Sequence, residues 1–344
     1  MDTSDITHYK YNERNFNHQI QDLNELSQFD KIFIEKWSAV EQNNVFRYSV
    51  KSQQYKVLEG QYGFYALLNT QRATMRRTPE EIMSMEQPFD CNKFNFTKIS
   101  QKEILFDIGD GQGNDVIAVN ISPILWSHSL LLTQRFNGLP QNVTLYSLQK
   151  AVEVILLSKS INMRVLFNSL CANASVNHLH WHLYYLDHRM LLEWIPVQSF
   201  IDSVYILEGF PAKGFCIMLS SFEDRDINKY VSHAYTVISC LQKNKIAHNI
   251  YITRSTSDPE RKNYDDVRIY IWARSSSYGA KNTEDFIIAA CECFGHLIIR
   301  TTEAYERINE EYVSGCLQDI TTKEFSLAQQ KIAETLSEMK KEKQ

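Results

Sequence analysis

Three histidines at every second position constrain this chain more than any other feature: His178, His180 and His182, in Ser175-Val-Asn-His-Leu-His-Trp-His-Leu-Tyr-Tyr. In an extended strand successive side chains alternate between faces, so this spacing aims all three imidazoles the same way. Leu179, Trp181 and Leu183 then fill the opposite face, and Tyr184, Tyr185 and Leu186 continue a β-prone run. Such a strand offers one face to a core and the other to chemistry. Alternating neutral imidazoles can ligate zinc, or one of them can act as a nucleophile with the others in support.

Composition narrows the setting. The 344 residues are 44% hydrophobic, enough for one large domain or two of ordinary size. A net charge of -5 argues against general binding to nucleic acid or to a membrane surface. The seven cysteines are odd in number, irregularly spaced and without a CxxC pair, which predicts free thiols in a reducing, cytoplasmic compartment. The opening residues are polar and read as no signal peptide, and no apolar run approaches membrane-spanning length.

Periodicity predicts the elements. Residues 25–43 carry apolar positions at helical spacing, and 54–68 read as β structure around Gly60 and Gly63. Asn69 to Pro79 is a basic loop holding Arg72, Arg76 and Arg77, either solvated or anion-binding. Lys93-Phe94-Asn95-Phe96 interleaves aromatic and polar groups, as a purine site needs, or as an ordinary strand would. Strands are predicted at 104–108, 116–123, 127–132 and 164–170, with a helix over 145–157. Beyond Pro196, strands at 204–207, 214–219, 249–253 and 268–272 accompany helices at 227–242 and 285–293. The tail from 322 to 344 reads as a solvated Lys/Glu-rich helix. This order predicts an α+β fold of mostly antiparallel sheets with flanking helices. It divides into a lead-in and helix (1–45), a histidine-bearing half (46–196) and a C-terminal half (197–344).

The histidine segment resembles the His-φ-His-φ-His-φ-φ signature of histidine-triad nucleotidyl hydrolases and transferases. The surroundings sharpen this. Phe167 to His180, Leu139-Pro-Gln-Asn-Val-Thr, Asn120-Ile-Ser-Pro, Ala247-His-Asn-Ile-Tyr-Ile-Thr-Arg254, Ile271-Trp-Ala-Arg274 and Phe294-Gly-His296 resemble the GDP-hexose phosphorylases, comprising the animal GDP-D-glucose and plant GDP-L-galactose enzymes. The resemblance spans roughly residues 50–320. It implies a histidine-triad-like fold, akin to galactose-1-phosphate uridylyltransferase, and a covalent guanylyl-histidine on His180. It further implies phosphate as second substrate, and GDP and glucose 1-phosphate as products; no acidic cluster suggests a metal clamp, and neither cofactor nor metal is expected. His178 would orient the loop and His182 would steady the phosphoryl oxygens. Ser175 and Asn168 would contact phosphate, and Asn120 the ribose, while His128 reads as structural. Arg72, Arg76, Arg77, Arg254 and Arg274 are the candidates for the incoming phosphate, and Lys93, Phe94 and Asn95 for the base. Two other outcomes fit the same histidines: a hydrolase releasing GMP, or a nucleotide-binding paralogue without catalysis.

The chain departs from the family pattern in three places. Ser127-His128-Ser-Leu-Leu-Leu-Thr133 stands where Gly-His-Val-Leu-Leu-Val-Pro is usual. Lys281-Asn-Thr replaces Lys-Asp-Gly, and Ile287-Ile288-Ala289 replaces Asn-Pro-Ala. Losing Asn-Pro removes polar groups and loosens a turn.

Overall fold

The computed structural model describes residues 6–258, 260, 263–277 and 285–342. The first amphipathic stretch forms α1 (Gln28–Gln42), started by Ser27, whose side chain accepts from the Asp30 N–H while the Asp30 carboxylate reaches back. Next come β1 (Gln54–Val57), β2 (Tyr65–Leu68) and the short α2 (Thr70–Met75), which carries the basic segment. The strands β3 (Ile104–Asp107), β4 (Val116–Val119) and β5 (Ser129–Leu132) precede α3 (Leu145–Leu157). The pair β6 (Met163–Asn168) and β7 (Trp181–Tyr185) brackets the histidine segment. The second half supplies β8 (Gln198–Ile201), β9 (Val204–Leu207), β10 (Gly214–Met218), α4 (Ile227–Lys243), β11 (His248–Ser255) and β12 (Asp266–Ala273). A single turn α5 (Ala290–Cys293), β13 (His296–Ile299), α6 (Thr302–Arg307) and α7 (Glu310–Glu342) complete the described chain.

Ten of these strands form one antiparallel sheet in the order β3-β4-β5-β7-β6-β11-β12-β10-β9-β8. The halves join inside it where β6 pairs with β11, from Asn249 opposite Asn168 to Thr253 opposite Arg164. A second link is the small sheet β1-β2-β13, in which β13 runs parallel to β2. Alternation along the strands sorts the core. Trp181, Leu183, Val165, Ile250 and Ile269 pack on one face against α1, α3, α4 and the later turns of α7. Leu166, Tyr184, Tyr251, Tyr270 and Trp272 pack on the other, with β2, β13 and α5. Fully burying each large apolar side chain stabilises the fold by about 1.5–3 kcal/mol.

Two predicted elements differ. The tail is not a solvated helix: α7 buries Val313, Leu317, Thr321, Phe325, Ala328, Ile332 and Leu336, a stripe at three- and four-residue steps. So narrow a stripe is hidden in a Lys/Glu-rich composition. The helix expected over 285–293 shrinks to the turn α5. The departure at Lys281 lies outside the described residues.

Asp30 ties three elements together. Its carboxylate accepts from Ser27 N–H (2.9 Å), the Ser158 hydroxyl (2.5 Å), the Lys159 N–H (2.9 Å) and the Tyr185 hydroxyl (2.6 Å). It thus links the start of α1, the end of α3 and the end of β7. Replacing it leaves several buried donors unmet. Asp30→Ala should lower the unfolding free energy by about 3 kcal/mol, read as a lower urea midpoint; an unchanged midpoint would contradict this.

Candidate active site

The ladder between β6 and β7 ends at Leu166 opposite His182, and beyond it the two chains part. Gln141, fully buried, bridges the gap. Its side-chain amide donates to the carbonyls of Asn168 and His180, both at 3.0 Å, and its oxygen accepts the His180 N–H at 2.9 Å. The Asn177 side chain in turn accepts the Gln141 N–H at 3.0 Å. One amide thereby does the work of a missing strand neighbour. β7 itself starts only at Trp181, so His178 and His180 precede the strand rather than lying in it.

The imidazoles adopt different tautomers, three set by a backbone partner and that of His182 by the His128 side chain. His180 Nδ1 lies 2.7 Å from the His178 carbonyl. A carbonyl only accepts, so Nδ1 carries the proton and Nε2 keeps its lone pair. That Nε2 has no hydrogen bond among the described residues. His128 Nδ1 accepts the Ile124 N–H at 2.8 Å, which places the His128 proton on Nε2. This Nε2 sits 3.0 Å from His182 Nδ1, so His182 carries its own proton on Nε2. His178 Nδ1 accepts the Phe96 N–H at 3.0 Å, and its ring stacks on Phe96 with centroids 5.6 Å apart. Burial holds all four neutral, pushing His178 and His180 down to about 4 and His128 and His182 well below the usual value. A neutral acceptor and a neutral donor thus stand side by side, with the rings of His180 and His182 5.0 Å apart.

Two cavities share His182, and His180 lines the smaller of them. One, of about 70 Å³, is lined by His180, His182, Ser175, Asn120 and the apolar Phe94, Phe96, Ile99, Ala118 and Leu130. The other, of about 90 Å³, is lined by His182, Ser175, Asn168, Glu292 and Arg300. Arg72 and Arg76 border both. The Asn168 oxygen accepts from Asn249 (2.7 Å) and from the Ala290 N–H (2.9 Å), leaving its NH2 to the second cavity. Burial first, then the charges of Arg72 and Arg300, lowers Arg76 to about 10. Guanidiniums gathered at one half-buried cavity suit an anion. Among the described residues no group of three or more His, Cys, Asp or Glu converges to hold a metal ion.

Other expected site residues lie elsewhere. Arg254 is remote from both cavities: its Nη2 donates to the carbonyls of Ile155 (2.8 Å) and Ser158 (2.9 Å), closing the end of α3. Arg274 is buried behind the site, donating to the Ile288 carbonyl and, at 3.4 Å, to the Asn249 side chain that orients Asn168. Arg77 borders only the smaller cavity, its guanidinium 3.1 Å over the Phe94 ring. Lys93 turns outward to Glu80 at 3.0 Å. Asn95 caps a 3-10 turn by accepting the Thr97 N–H at 3.1 Å. Of the three residues expected at the base, only Phe94 lines either of these two cavities. Sequence reading missed Arg300, Glu292 and Glu103, and took His128 for structural. A histidine immediately before the leucine run of β5 was the available signal for the last.

The departures find local explanations. Ser127 has φ +72°, the left-handed region that suits the family's glycine, and its hydroxyl accepts the Tyr185 N–H at 2.8 Å. Ile287 lines the larger cavity, and the Ile288 carbonyl accepts from Asn173 at 2.5 Å, so its backbone, not its side chain, does the holding.

An antiparallel sheet that presents one uncommitted imidazole nitrogen beside an imidazole N–H, under a guanidinium cluster, defines a site for chemistry at phosphorus. The fold matches that of yeast Ap4A phosphorylase Apa2 crystallised with Ap4A, with a TM-score of 0.63 at 14% identity, covering 86% of this chain and 97% of that one. The chain belongs to the GDPGP1-like family, whose N-terminal domain matches residues 28–184 and whose C-terminal domain matches 196–339. It is similar to human GDP-D-glucose phosphorylase 1 (34% identical over 307 residues, 85% of this chain and 79% of the relative). The zebrafish enzyme of the same name is 35% identical over 299 residues, covering 85% and 86%. Arabidopsis GDP-L-galactose phosphorylase 2 is 30% identical over 322 residues, covering 86% and 73%.

The buried imidazoles couple folding to pH. The unfolded chain takes up protons as pH falls through about 6.5, whereas folded His178 and His180 resist until about 4. Stability is therefore full above pH 6.5 and lost on acidification towards 4. Unfolding free energy should drop by at least about 2 kcal/mol between pH 7 and 5; a flat urea midpoint over that interval would contradict the neutral assignment.

Proposed function

We propose that this protein is a nucleotidyltransferase that phosphorolyses GDP-D-glucose to GDP and glucose 1-phosphate. Family membership and the similarity to curated GDP-D-glucose phosphorylases support the substrate. The observation that carries the mechanism is the pair of opposed tautomers, with His182 shared by the two cavities and His180 in the smaller. The smaller cavity, with Phe94, Phe96, Ile99, Ala118 and Leu130 among its lining, suits the nucleoside, with Asn120 near the ribose and Phe94 and Phe96 beside the base. The larger, bordered by Arg72, Arg76 and Arg300, suits hexose 1-phosphate and, after its departure, inorganic phosphate.

His180 Nε2 attacks the α-phosphorus, and the bond to the bridging oxygen breaks, releasing glucose 1-phosphate. His182 Nε2–H is placed to donate to a phosphoryl or bridging oxygen, with Ser175 and the Asn168 NH2 alongside. Phosphate then occupies the vacated guanidinium site and attacks the same phosphorus, giving GDP and restoring neutral His180. Positioned guanidinium forks let phosphate compete with water for the intermediate. His128 acts as a positioning residue by keeping the His182 proton on Nε2. The free-thiol composition supports a cytoplasmic setting, and no described helix is long and apolar enough to cross a membrane.

His180→Asn should lower kcat by on the order of 10⁴-fold or more while GDP binding persists; a variant retaining a tenth of the rate would sink covalent catalysis. Phosphate should raise GDP-glucose consumption steeply, with GDP as product. GMP as main product at millimolar phosphate would favour hydrolysis, and no turnover with tight GDP binding would favour a retired enzyme. His128→Ala, which frees the His182 tautomer, should lower kcat by roughly 10²-fold with little change in KM; an unaltered kcat would remove His128 from the mechanism.

A further inference from the structure

The smaller cavity has a built direction. His182, Leu130, Ala118 and Ile104 are successive Cα partners across β7, β5, β4 and β3. Three strand spacings separate the histidine from the edge strand, roughly 14 Å. A nucleoside whose phosphorus sits at His180 and His182 therefore runs across the strands, over Leu130 and Ala118, with its base towards β3. At that far end, just before Ile104, stands Glu103, which lines the cavity with Arg77 and Phe94.

Glu103 Oε1 accepts the Ser100 N–H at 2.8 Å, which anchors the carboxylate. Its Oε2 takes no hydrogen bond among the described residues. Burial raises the carboxyl's pKa, opposed by the Ser100 N–H and by the charges of Arg77 and Arg47. Arg77 is held against the Phe94 ring, with its guanidinium on the same cavity. The far wall thus offers a guanidinium donor beside a carboxylate acceptor.

We propose that Glu103 and Arg77 read the base as guanine. This rests on the GDP-hexose reading and deepens it. The guanine edge presents O6 as an acceptor, then N1–H and the N2 amine as donors. A carboxylate accepts the two donors and a guanidinium donates to O6 or N7. Adenine reverses the order at N6 and N1 and has no amine at C2, so it would set two acceptors, N1 and the carboxylate, against each other. A buried carboxylate left without donors rejects such a base strongly. Phe94 and Phe96 give a stacking wall that any purine can use, so discrimination falls to the edge.

The test is equilibrium binding of GDP, IDP, XDP and ADP to the wild-type protein and to Glu103→Gln, followed by turnover of the matching diphosphoglucoses. IDP lacks the N2 amine, and XDP replaces it with a carbonyl. The wild type should bind GDP on the order of 10- to 100-fold tighter than IDP, and exclude XDP and ADP further. Glutamine keeps an acceptor for Ser100 but offers guanine at most one, so the GDP-over-IDP preference should collapse to a few-fold. The KM for phosphate, read at the other cavity, should stay within about twofold. Equal wild-type binding of GDP and IDP would overturn the assignment even if the variant failed to fold. So would a folded variant that kept the wild-type preference. Guanine discrimination without turnover of GDP-glucose would fault the proposed reaction alone; turnover without dependence on N2 would fault Glu103 alone.

Discussion

The geometry of His180 depends on the buried side chain of Gln141. Strand β7 begins one residue too late to hold His180 in the ladder, and its neighbour β6 has already turned away. The Gln141 amide restores both missing hydrogen bonds and adds one to Asn168. With the backbone so held, the His178 carbonyl meets His180 Nδ1, and the lone pair of Nε2 is left to the cavity. A backbone freed from Gln141 would leave a buried N–H and two carbonyls unmet, an arrangement that folded chains avoid.

Electrostatics divides the site into halves. Desolvation keeps the imidazoles neutral, so one can attack and another can donate without either carrying charge. The positive charge sits beside them instead, on Arg72, Arg76 and Arg300, where the proposed reaction brings its phosphate groups. The smaller cavity, which Arg72 and Arg76 also border, has Asn120 on the side of the histidine pair and Glu103 with Arg77 at the edge strand.

Much of this was legible beforehand because local pattern and tertiary environment agree. The helix expected over 145–157 is α3 residue for residue, and Leu179, Trp181 and Leu183 do face the core. Reading failed where the two disagree. The α7 stripe is narrow within a charged composition, and Ile288 acts through its carbonyl, which no side-chain pattern reveals. Arginine was the least legible residue. Arg77 stacks on an aromatic ring, Arg254 closes a helix and Arg274 supports a second layer, although all three carry the same guanidinium.

The sequence by itself determined the class of fold, the family and the histidine pair, because alternation and motif spacing are properties of neighbours along the chain. Only the tertiary structure decided which nitrogen of each imidazole bears its proton. Those protons follow partners distant in sequence or set by the backbone path: His128 for His182, Phe96 N–H for His178. It also decided which charged groups share a cavity. Glu103 is brought opposite the histidines by three successive strand pairings, and Arg300 reaches the site through the parallel pairing of β13 with β2. Such proximities arise from closing the sheet around residues far apart in the chain, and no local pattern carries them.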